Sequence, residues 1–387
     1  MIYFDNATTS KPKPEVVYEA VTNFFRNIGV SPGRSSHQLA QAANTIVWET
    51  RKKLATLFGV SYPELVIFTS GATMALNMCL KGLLQPGDHV ITSTWEHNSV
   101  NRPLRTLEKI DSKETGVSVT RVNINVNRQF DLSLIANAVQ PNTRLVALTH
   151  ASNVTGAILP IREIGEFTNA RNILLLVDAA QSAGIVPINM MEMQVDILIF
   201  AGHKGLLGPP GIGGVCLRED LPIRSTIEGG TGSKSKSFEH PILLPDRLEA
   251  GTPNTLGIVG LHASVDYLLK RDISQLFNRE IQLRTRFVKK LGKMDFLTIY
   301  SGAGTLEKLP IVSINMDRFR PGELAGILDS KFQIMSRSGF HCAPAIHRQL
   351  GTFSKGGAVR FSLNHFNTEE EIDTVVQALT AIKAERL

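Results

Sequence analysis

Two polar side chains stand where apolar segments of the chain end. Residues 173–177 and 195–200 are apolar runs of the length and branching expected of strands buried on both faces. Asp178 ends the first run, and Lys204 follows the second at the start of a loop rich in Gly and Pro. A crowded or buried lysine loses part of its charge and becomes a nucleophile. Taken singly, Lys204 also fits a lysine that caps a strand, and Asp178 fits a helix cap.

A turn suited to an anion lies earlier in the chain. Residues 65–69 predict a short buried strand, and Ser70-Gly71-Ala72-Thr73 joins it to a predicted helix. A tight Gly turn that opens a helix gathers free N–H groups and the positive end of the helix dipole, which together suit a phosphate. Ser and Thr are also ordinary helix caps. The chain contains neither the G-x-x-x-x-G-K-[ST] loop of nucleotide hydrolases nor a G-x-G-x-x-G motif.

These features together meet the needs of one cofactor. Pyridoxal phosphate uses a lysine that forms a Schiff base with its aldehyde carbon, an acid that keeps its pyridine nitrogen protonated, and an anion site for its phosphate. A lone histidine such as His97 is also an ordinary core residue. The candidates for cofactor binding are Lys204 at the aldehyde, Asp178 at the ring nitrogen, His97 over the ring face, Gln181 near the ring hydroxyl, and Ala72 and Thr73 at the phosphate.

Cys342 is the candidate nucleophile in the C-terminal part of the chain. It lies in a Gly- and Pro-containing loop that we predict to be mobile or solvent-facing, and Arg337 and His341 are near enough in sequence to favour its thiolate. Cys79 and Cys216 fall in apolar segments and are predicted to be core residues. Three scattered cysteines with no C-x-x-C predict neither a disulfide framework nor a metal site.

The elements that must position these residues alternate between strands and helices. Such alternation, with polar residues where strands end, predicts an α/β fold with a mostly parallel sheet whose ligands bind at the carboxyl ends of the strands. Beyond residue 256, longer helices and a short strand predict a second lobe. The predicted strands are 65–69, 90–94, 116–123, 145–150, 173–177, 195–200, 215–217 and 311–315, and the predicted helices include 15–27, 132–139, 161–169, 257–269, 273–291 and 369–382.

Composition limits the classes of function. A chain of 387 residues with 43% hydrophobic content can bury a large core and form two lobes. The net charge is +6, but 41 Lys and Arg are dispersed among 35 Asp and Glu, which is weak support for nucleic-acid binding. No signal peptide or stretch of 18 apolar residues occurs. We therefore expect no nucleic-acid partner, no membrane contact and a cytoplasmic location.

The sequence resembles the class V aminotransferase-fold enzymes, specifically the cysteine desulfurases, over nearly its whole length. Several of the shared motifs are distinctive, and they occur in the same order. They are Asp5-Asn6-Ala7-Thr8-Thr9, Ser70-Gly71-Ala72-Thr73, Glu96-His97, Ser152-Asn153-Val154-Thr155-Gly156, Val177-Asp178-Ala179-Ala180-Gln181-Ser182, Gly202-His203-Lys204, Glu249-Ala250-Gly251-Thr252-Pro253-Asn254, Arg337-Ser338-Gly339-Phe340-His341-Cys342-Ala343 and Val359-Arg360-Phe361-Ser362.

The resemblance implies the aspartate aminotransferase-like fold of pyridoxal-phosphate transferases. A large cofactor-binding domain would span residues 15–255, and residues 1–14 with 256–387 would form a smaller α+β domain that carries the cysteine loop. The resemblance also implies a homodimer that converts L-cysteine to L-alanine, with sulfur held as a persulfide on Cys342 and passed to a sulfur-acceptor protein.

The resemblance assigns further residues to the site. Thr73, His203 and Thr252 of the partner subunit would contact the phosphate, while Asn153 and Arg360 would hold the substrate carboxylate. We add Arg337 and His37 as candidate substrate contacts, although His37 alone also fits a helix cap.

The chain departs from its relatives at two positions. Many relatives carry Ser at the position of Ala201, so one hydroxyl contact to the phosphate is absent, and some carry His at the position of Phe340. The short spacing from Cys342 to Arg360 resembles the desulfurase group with a short, ordered cysteine loop, in which turnover usually depends on a separate acceptor.

Other functions remain open at this stage. The same fold serves selenocysteine lyases, cysteine or cystine C–S lyases and amino-acid epimerases. A ligand-binding or scaffold protein that keeps the fold without the chemistry is a further alternative.

Overall fold

The computed structural model describes residues 1–33, 35–109, 116–125, 129–300 and 306–384. The strands are β1 (Ile2–Tyr3), β2 (Val66–Thr69), β3 (His89–Ser93), β4 (Ser118–Val122), β5 (Thr143–Thr149), β6 (Leu174–Asp178), β7 (Ile197–Ala201), β8 (Gly213–Leu217), β9 (Leu297–Ile299), β10 (Ile311–Met316), β11 (Ile334–Met335), β12 (Arg337–Gly339) and β13 (Ala358–Ser362). The helices are α1 (Glu15–Asn27), α2 (Gln38–Phe58), α3 (Ala72–Leu83), α4 (Asn98–Lys109), α5 (Ser133–Ala136), α6 (Ile161–Asn169), α7 (Thr255–Leu269), α8 (Ile273–Leu291), α9 (Pro321–Phe332), α10 (Pro344–Gln349) and α11 (Glu369–Ala384).

A large sheet forms the centre of the first lobe. Within the described ranges it has seven strands in the order β2-β8-β7-β6-β5-β3-β4. β8 alone runs in the opposite direction to the other six strands, so the predicted mostly parallel sheet is confirmed. The reversal at β8 follows from its connection, because the Gly- and Pro-rich loop after β7 contains no crossover helix that could return the chain in parallel.

The apolar runs of the sequence become the interior of this sheet. β6 and β7 are buried almost throughout, and helices cover both faces of the sheet to form one continuous hydrophobic core. Strands of this kind gain their stability from burial on both faces. Their carboxyl ends therefore lie at a fixed edge, where the side chains that follow them meet.

A second, smaller core lies in the C-terminal lobe. β12, β13, β10 and β9 form an antiparallel sheet, and the edge-to-face rings of Phe4, Phe287 and Phe361 pack beneath it. The N-terminal β1 pairs with β11, so the start of the chain packs with this lobe. Most buried side chains of α7 belong to the larger core, and those of the second half of α8 belong to the smaller one. The boundary between the two cores therefore follows α7 and lies beyond residue 255. The domain limits themselves stay a prediction.

Most element limits agree with the sequence predictions, and a few differ. The helix predicted at 132–139 is a single turn, α5, and the predicted strands shift by one or two residues. None of the described helices is both long and apolar enough to cross a bilayer.

Candidate active site

A cleft of about 790 Å³ opens where β5, β6 and β7 end and α3 begins. The structure brings eight of the predicted site residues together on its walls, although they come from separate segments of the chain. They are Ala72, Thr73, His97, Asn153, Asp178, Gln181, His203 and Lys204.

Lys204 stands three residues beyond the end of β7, on the wall of the cleft. The pKa of its amine is lowered to about 8, mainly by burial; the charge of Asp178 opposes this shift, and the positive charges of Arg360 and Arg337 contribute to it. An amine with this pKa is partly uncharged near neutral pH. Lys204 is therefore prepared to act as a nucleophile or a base.

Asp178 is the last residue of β6 and is only 5% exposed. Its Oδ1 accepts a hydrogen bond from the backbone N–H of Ala180 at 2.9 Å, and no helix begins there, so Asp178 is not a helix cap. Burial raises its pKa, while this hydrogen bond and the charge of Lys204 lower it. A buried carboxyl group with one local partner is suited to hold a charged hydrogen-bond donor from a ligand.

His97 is held in one tautomer by the start of α4. The backbone N–H of Ser99 donates to His97 Nδ1 at 3.0 Å, so the ring hydrogen lies on Nε2. The Ser99 hydroxyl also lies 2.8 Å from Nδ1 and 2.7 Å from Thr73 Oγ1, which links the histidine to the predicted phosphate site. Burial and then the charge of Lys204 lower the pKa of His97 to about 4. The ring is neutral and can stack on a flat ligand.

Sequence reasoning missed Ser99 and undervalued Glu96. Glu96 lies fully buried behind the cleft, where its Oε1 accepts hydrogen bonds from Ser93 Oγ at 2.6 Å and from the backbone of Thr149 at 3.1 Å. Burial raises its pKa to about 8. The position of Ser99 two residues after a candidate histidine was the only signal for it in the sequence, since its contact with Thr73 depends on the fold.

The anion end of the cleft has the expected geometry. Gly71 precedes α3 with φ +153°, a conformation that side chains rarely adopt, and the first N–H groups of a helix have no partner within the helix. Thr73 adds a hydroxyl, and within the described part of the chain His203 Nδ1 is buried with no hydrogen-bond partner. Ala201 lies on the same wall and supplies no hydroxyl. These donors, with Asp178 and Lys204, fit pyridoxal phosphate in both charge and chemistry.

Arg360 and Arg337 form a cationic end next to this cleft. Arg360 is 1% exposed, and its Nη1 donates to the carbonyl of Asn153 at 3.0 Å. Its Nη2 donates to Asp5 Oδ1 and to Thr8 Oγ1, both at 2.9 Å, and Arg337 Nη1 donates to the same hydroxyl at 2.9 Å. Sequence reasoning gave Asp5 and Thr8 no role, because they lie hundreds of residues away along the chain. The N-terminal segment thus holds both guanidinium groups in place.

The Cys342 turn, residues 340–343 between β12 and α10, was predicted to be mobile or solvent-facing. Cys342 is half-buried, and the turn is anchored to the large lobe. Asn153 Nδ2 donates to the carbonyl of His341 at 2.6 Å. The backbone N–H of Asn98 donates to the carbonyl of Cys342 at 2.7 Å. Arg337 Nη2 lies 3.7 Å from the sulfur of Cys342, so the predicted neighbour of the thiol is in contact with it.

His341 was expected to add positive charge near the thiol, and it does not. Its ring is 3% exposed, and burial together with the charge of Arg360 holds its pKa well below the usual value. It is neutral, and its nitrogens contact the carbonyl of Arg337 and the ring of His347.

Two predicted residues lie outside this assembly. His37 is exposed and its Nδ1 accepts a hydrogen bond from the backbone of Ala40, which is the helix cap considered as its alternative. Thr252 is exposed and does not line the cleft of its own chain. Cys79 and Cys216 are fully buried, as predicted for core residues, and burial raises the pKa of both thiols.

Proteins named as cysteine desulfurases are similar to this chain over nearly their whole length. A curated relative named "Probable cysteine desulfurase", from Methanothermobacter thermautotrophicus, is 32% identical over 98% of this chain and 94% of its own length. Another of the same name, from Xylella fastidiosa (strain Temecula1), is 34% identical over 99% of this chain and 91% of its own. The apo structure of cysteine desulfurase from Thermococcus onnurineus NA1 superposes with a TM-score of 0.89 at 30% identity, covering 98% of this chain and 94% of that one.

These similarities confirm the fold and the family resemblance that the motifs indicated. The sequence pattern described as aminotransferase class-V matches residues 2–375, which is almost the whole chain. The protein therefore belongs to the class V aminotransferase family.

Proposed function

We propose that this protein is a pyridoxal-phosphate-dependent cysteine desulfurase that converts L-cysteine to L-alanine. One observation supports this most strongly: a cleft with an amine of lowered pKa lies beside a thiol that a second lobe supplies. Asn153 connects the two, since it lines the cleft and its side chain binds the turn that carries Cys342. The names of the relatives agree with this reaction.

Five residues would hold the cofactor in the cleft. Lys204 would bind its aldehyde carbon, Asp178 its ring nitrogen and His97 its ring face, while Thr73 and His203 would bind its phosphate with the start of α3. Bound there, the cofactor would supply an electron sink for charge that develops on the substrate carbon. Gln181 Nε2 already donates to the carbonyl of Ala7 at 3.1 Å, which fixes its side chain beside the ring site.

The substrate would bind between the two arginines and Asn153. The guanidinium of Arg360 is planar and buried, and its Nε has no partner among the described residues, so hydrogen-bond capacity remains for a carboxylate. Lys204 would then carry the substrate's α-proton, because its amine titrates near neutral pH.

Cys342 would take the sulfur atom. Its thiolate attacks the sulfur of the substrate, and a new S–S bond forms as the substrate's Cβ–S bond breaks. The electron pair of the broken bond stays on carbon, which takes up a proton to give alanine. The enzyme is left with a persulfide on Cys342, next to the guanidinium of Arg337, which stabilises its negative charge.

A homodimer would complete the phosphate site. Arg51 binds the carboxylate of Glu249 through both Nη atoms, at 2.8 and 2.6 Å, and Asn254 caps α7, so the turn between them is fixed with Thr252 outward. We infer that Thr252 of the partner subunit reaches the phosphate. Exposed apolar side chains on the same lobe fit an interface with a second copy; they include Phe25, Phe238, Ile242 and Leu243.

The persulfide would be passed to a sulfur-acceptor protein in the cytoplasm. A half-buried thiol lets a flexible segment of another protein approach, while bulk solvent has limited access. L-Selenocysteine would fit the same cleft, because selenium differs little from sulfur in size and chemistry.

The test is to supply pyridoxal phosphate and L-cysteine to the purified protein and to measure alanine. We expect alanine formation, and we expect borohydride reduction before substrate is added to attach the cofactor to Lys204 alone. A tag on another residue, or none, contradicts the proposal, and a protein that binds no cofactor would support a non-catalytic relative. If Cys342→Ala still forms alanine from cysteine at the wild-type rate and also turns over a selenium substrate, the protein is a selenocysteine lyase and not a desulfurase.

A further inference from the structure

We propose that a buried chain of three side chains, Thr352, His347 and His341, holds the Cys342 turn in the conformation that presents the thiol to the cleft. These are positioning residues, since none of them lines the cleft. Their effect on turnover rests on the proposed function, whereas their structural role does not.

The hydrogen-bonded chain runs from Thr352, just after α10, back to β12. Thr352 Oγ1 lies 2.7 Å from His347 Nδ1, His347 Nε2 lies 3.3 Å from His341 Nδ1, and His341 Nε2 lies 3.2 Å from the carbonyl of Arg337. All three side chains are buried, with exposed fractions of 0%, 0% and 3%. Hydrogen bonds in such a dry environment are strong when they are complete and costly when one is missing.

The contacts assign every hydrogen in the chain. A carbonyl oxygen only accepts, so His341 Nε2 carries its hydrogen and donates it to Arg337. His341 Nδ1 must then accept from His347 Nε2. His347 Nδ1 is left as an acceptor for the hydroxyl of Thr352, which also lies 3.2 Å from the carbonyl of His347. The carbonyl of Arg337 therefore sets the tautomer of both rings, and Thr352 supplies the donor that the last ring nitrogen needs.

The turn needs such support because its backbone is strained. His341 and Cys342 have φ values of +50° and +58°, the left-handed region that residues with a side chain avoid. Such residues persist only where their surroundings over-determine them. The turn contains no glycine at these two positions, so side-chain and backbone contacts must maintain it.

The hydrogen-bonded chain also connects the thiol of Cys342 to the cation beside it, Arg337. His341 holds the main chain of Arg337, and the Nη2 atom of that same arginine lies 3.7 Å from the sulfur of Cys342. A ring of contacts thus joins the nucleophile to the guanidinium beside it. Loss of the Thr352 hydroxyl would leave His347 Nδ1 buried without a donor, which would weaken the support that His347 gives to His341 and to the turn.

Thr352→Val tests the proposal, since it keeps the shape of the side chain and removes the hydroxyl. Thr352→Ser restores the hydroxyl, and Thr168→Val is the matched control, because Thr168 is equally buried and bonds only to a carbonyl within α6. The ¹⁵N spectrum of the histidine rings in the full-length holoenzyme reports the tautomers directly. The rate of persulfide formation in a single turnover, KM for cysteine and cofactor affinity are measured alongside.

We expect both buried rings of the wild type in the Nε2–H form. In Thr352→Val the ¹⁵N resonance of His347 Nδ1 should move to that of an acceptor without a donor. Persulfide formation should fall about tenfold in this variant, the effect of one buried hydrogen bond, with cofactor affinity unchanged and full rescue by Thr352→Ser. An Nδ1–H ring at His347 in the wild type, or an unchanged His347 Nδ1 resonance and an unchanged rate in Thr352→Val, would overturn the proposal. If Thr352→Val does not fold, the ring tautomers of the wild type and of Thr352→Ser still test the proposal. If the wild type forms no persulfide, the proposed function fails, while the spectra still test the chain.

Discussion

The two ends of the candidate site are built from different kinds of contact. At the cofactor end, Lys204 and Asp178 follow strands of a sheet that is buried on both faces, so the main core of the protein fixes their positions. At the thiol end, Cys342 lies in a strained turn held by individual hydrogen bonds from Asn153, Asn98 and His341. The first end resists local change because the whole fold supports it, whereas the second can be altered one contact at a time.

This difference suggests a division of work between the ends. A rigid cofactor end keeps reacting atoms in place, which accounts for much of the rate of enzymes that bind their cofactor in a preformed cleft. In the proposed function the thiol would first take a sulfur atom and then release it to another protein, and such a thiol benefits from a support of modest stability. The predictions below test this division.

The largest effect is expected when the cofactor end loses its amine. Lys204→Ala should reduce alanine formation by about a thousandfold, since it removes both the covalent attachment and the base. Amide hydrogen exchange in the Cys342 turn should stay as in the wild type, because that turn depends on other contacts. Lys331→Ala, at an exposed site on α9, is the control. Faster exchange in the turn of Lys204→Ala would show that the two ends are not independently supported.

Acid should weaken the fold around the cofactor end. Burial lowers the pKa of His97, His150 and His203 to about 4, so the folded protein keeps these rings neutral. The unfolded chain binds protons near pH 6.5, and stability is therefore fully present above that pH and is lost as the pH falls towards 4. For the fully buried His150 alone the loss is about 3 kcal/mol at pH 4.

Denaturant unfolding of the apoprotein between pH 7 and pH 4 measures this loss. His150→Gln carries no titrating ring at this position, so its free energy of unfolding should depend less steeply on pH than that of the wild type. Equal slopes for the two proteins would contradict the account.

A smaller effect is expected at the link between the phosphate site and the ring site. Ser99→Ala removes the hydroxyl that joins Thr73 to His97 and should lower both cofactor affinity and turnover about tenfold. Ser99→Thr keeps the hydroxyl and should retain most of both. Ser330→Ala, which removes an exposed hydroxyl on α9, serves as the control. Loss of turnover without loss of cofactor affinity would show that Ser99 supports only the histidine.

The smallest effect concerns the hydroxyl that this chain lacks. Ala201 lies on the wall of the cleft next to the predicted phosphate site, and Ala201→Ser should tighten cofactor binding by about fivefold, the typical net effect of one added hydrogen bond. Ala201→Gly adds no hydroxyl and should not tighten it. Weaker binding in Ala201→Ser, measured by titration of the apoprotein, would mean that the phosphate does not reach this wall.

Much of the cofactor end was predictable because its signals are local. Apolar runs followed by Asp178 and Lys204 indicated the strands and their polar ends. Thr368 and Glu371 likewise have the spacing of a capping box, which is present at the start of α11. These patterns depend on neighbours in sequence, so the chain alone contains them.

The thiol end was less predictable because its contacts join distant segments. Asp5 and Thr8 reach Arg360 across more than 350 positions, and nothing in their local sequence indicates that contact. The neutral state of His341 depends on burial beside His347, which only the folded protein provides. The strand β8 was predicted, but its direction was not, since strand direction is decided by how the chain returns.

The central claim is that the large lobe activates the substrate and the second lobe supplies the thiol that takes its sulfur. The most direct test is to treat the holoenzyme with ³⁴S-labelled L-cysteine in the absence of an acceptor and to map the label by peptide mass spectrometry. The account predicts one labelled sulfur on Cys342 and none on Cys79 or Cys216, with an equal amount of alanine released. Label on either buried cysteine, or alanine released with no protein-bound label, would contradict it.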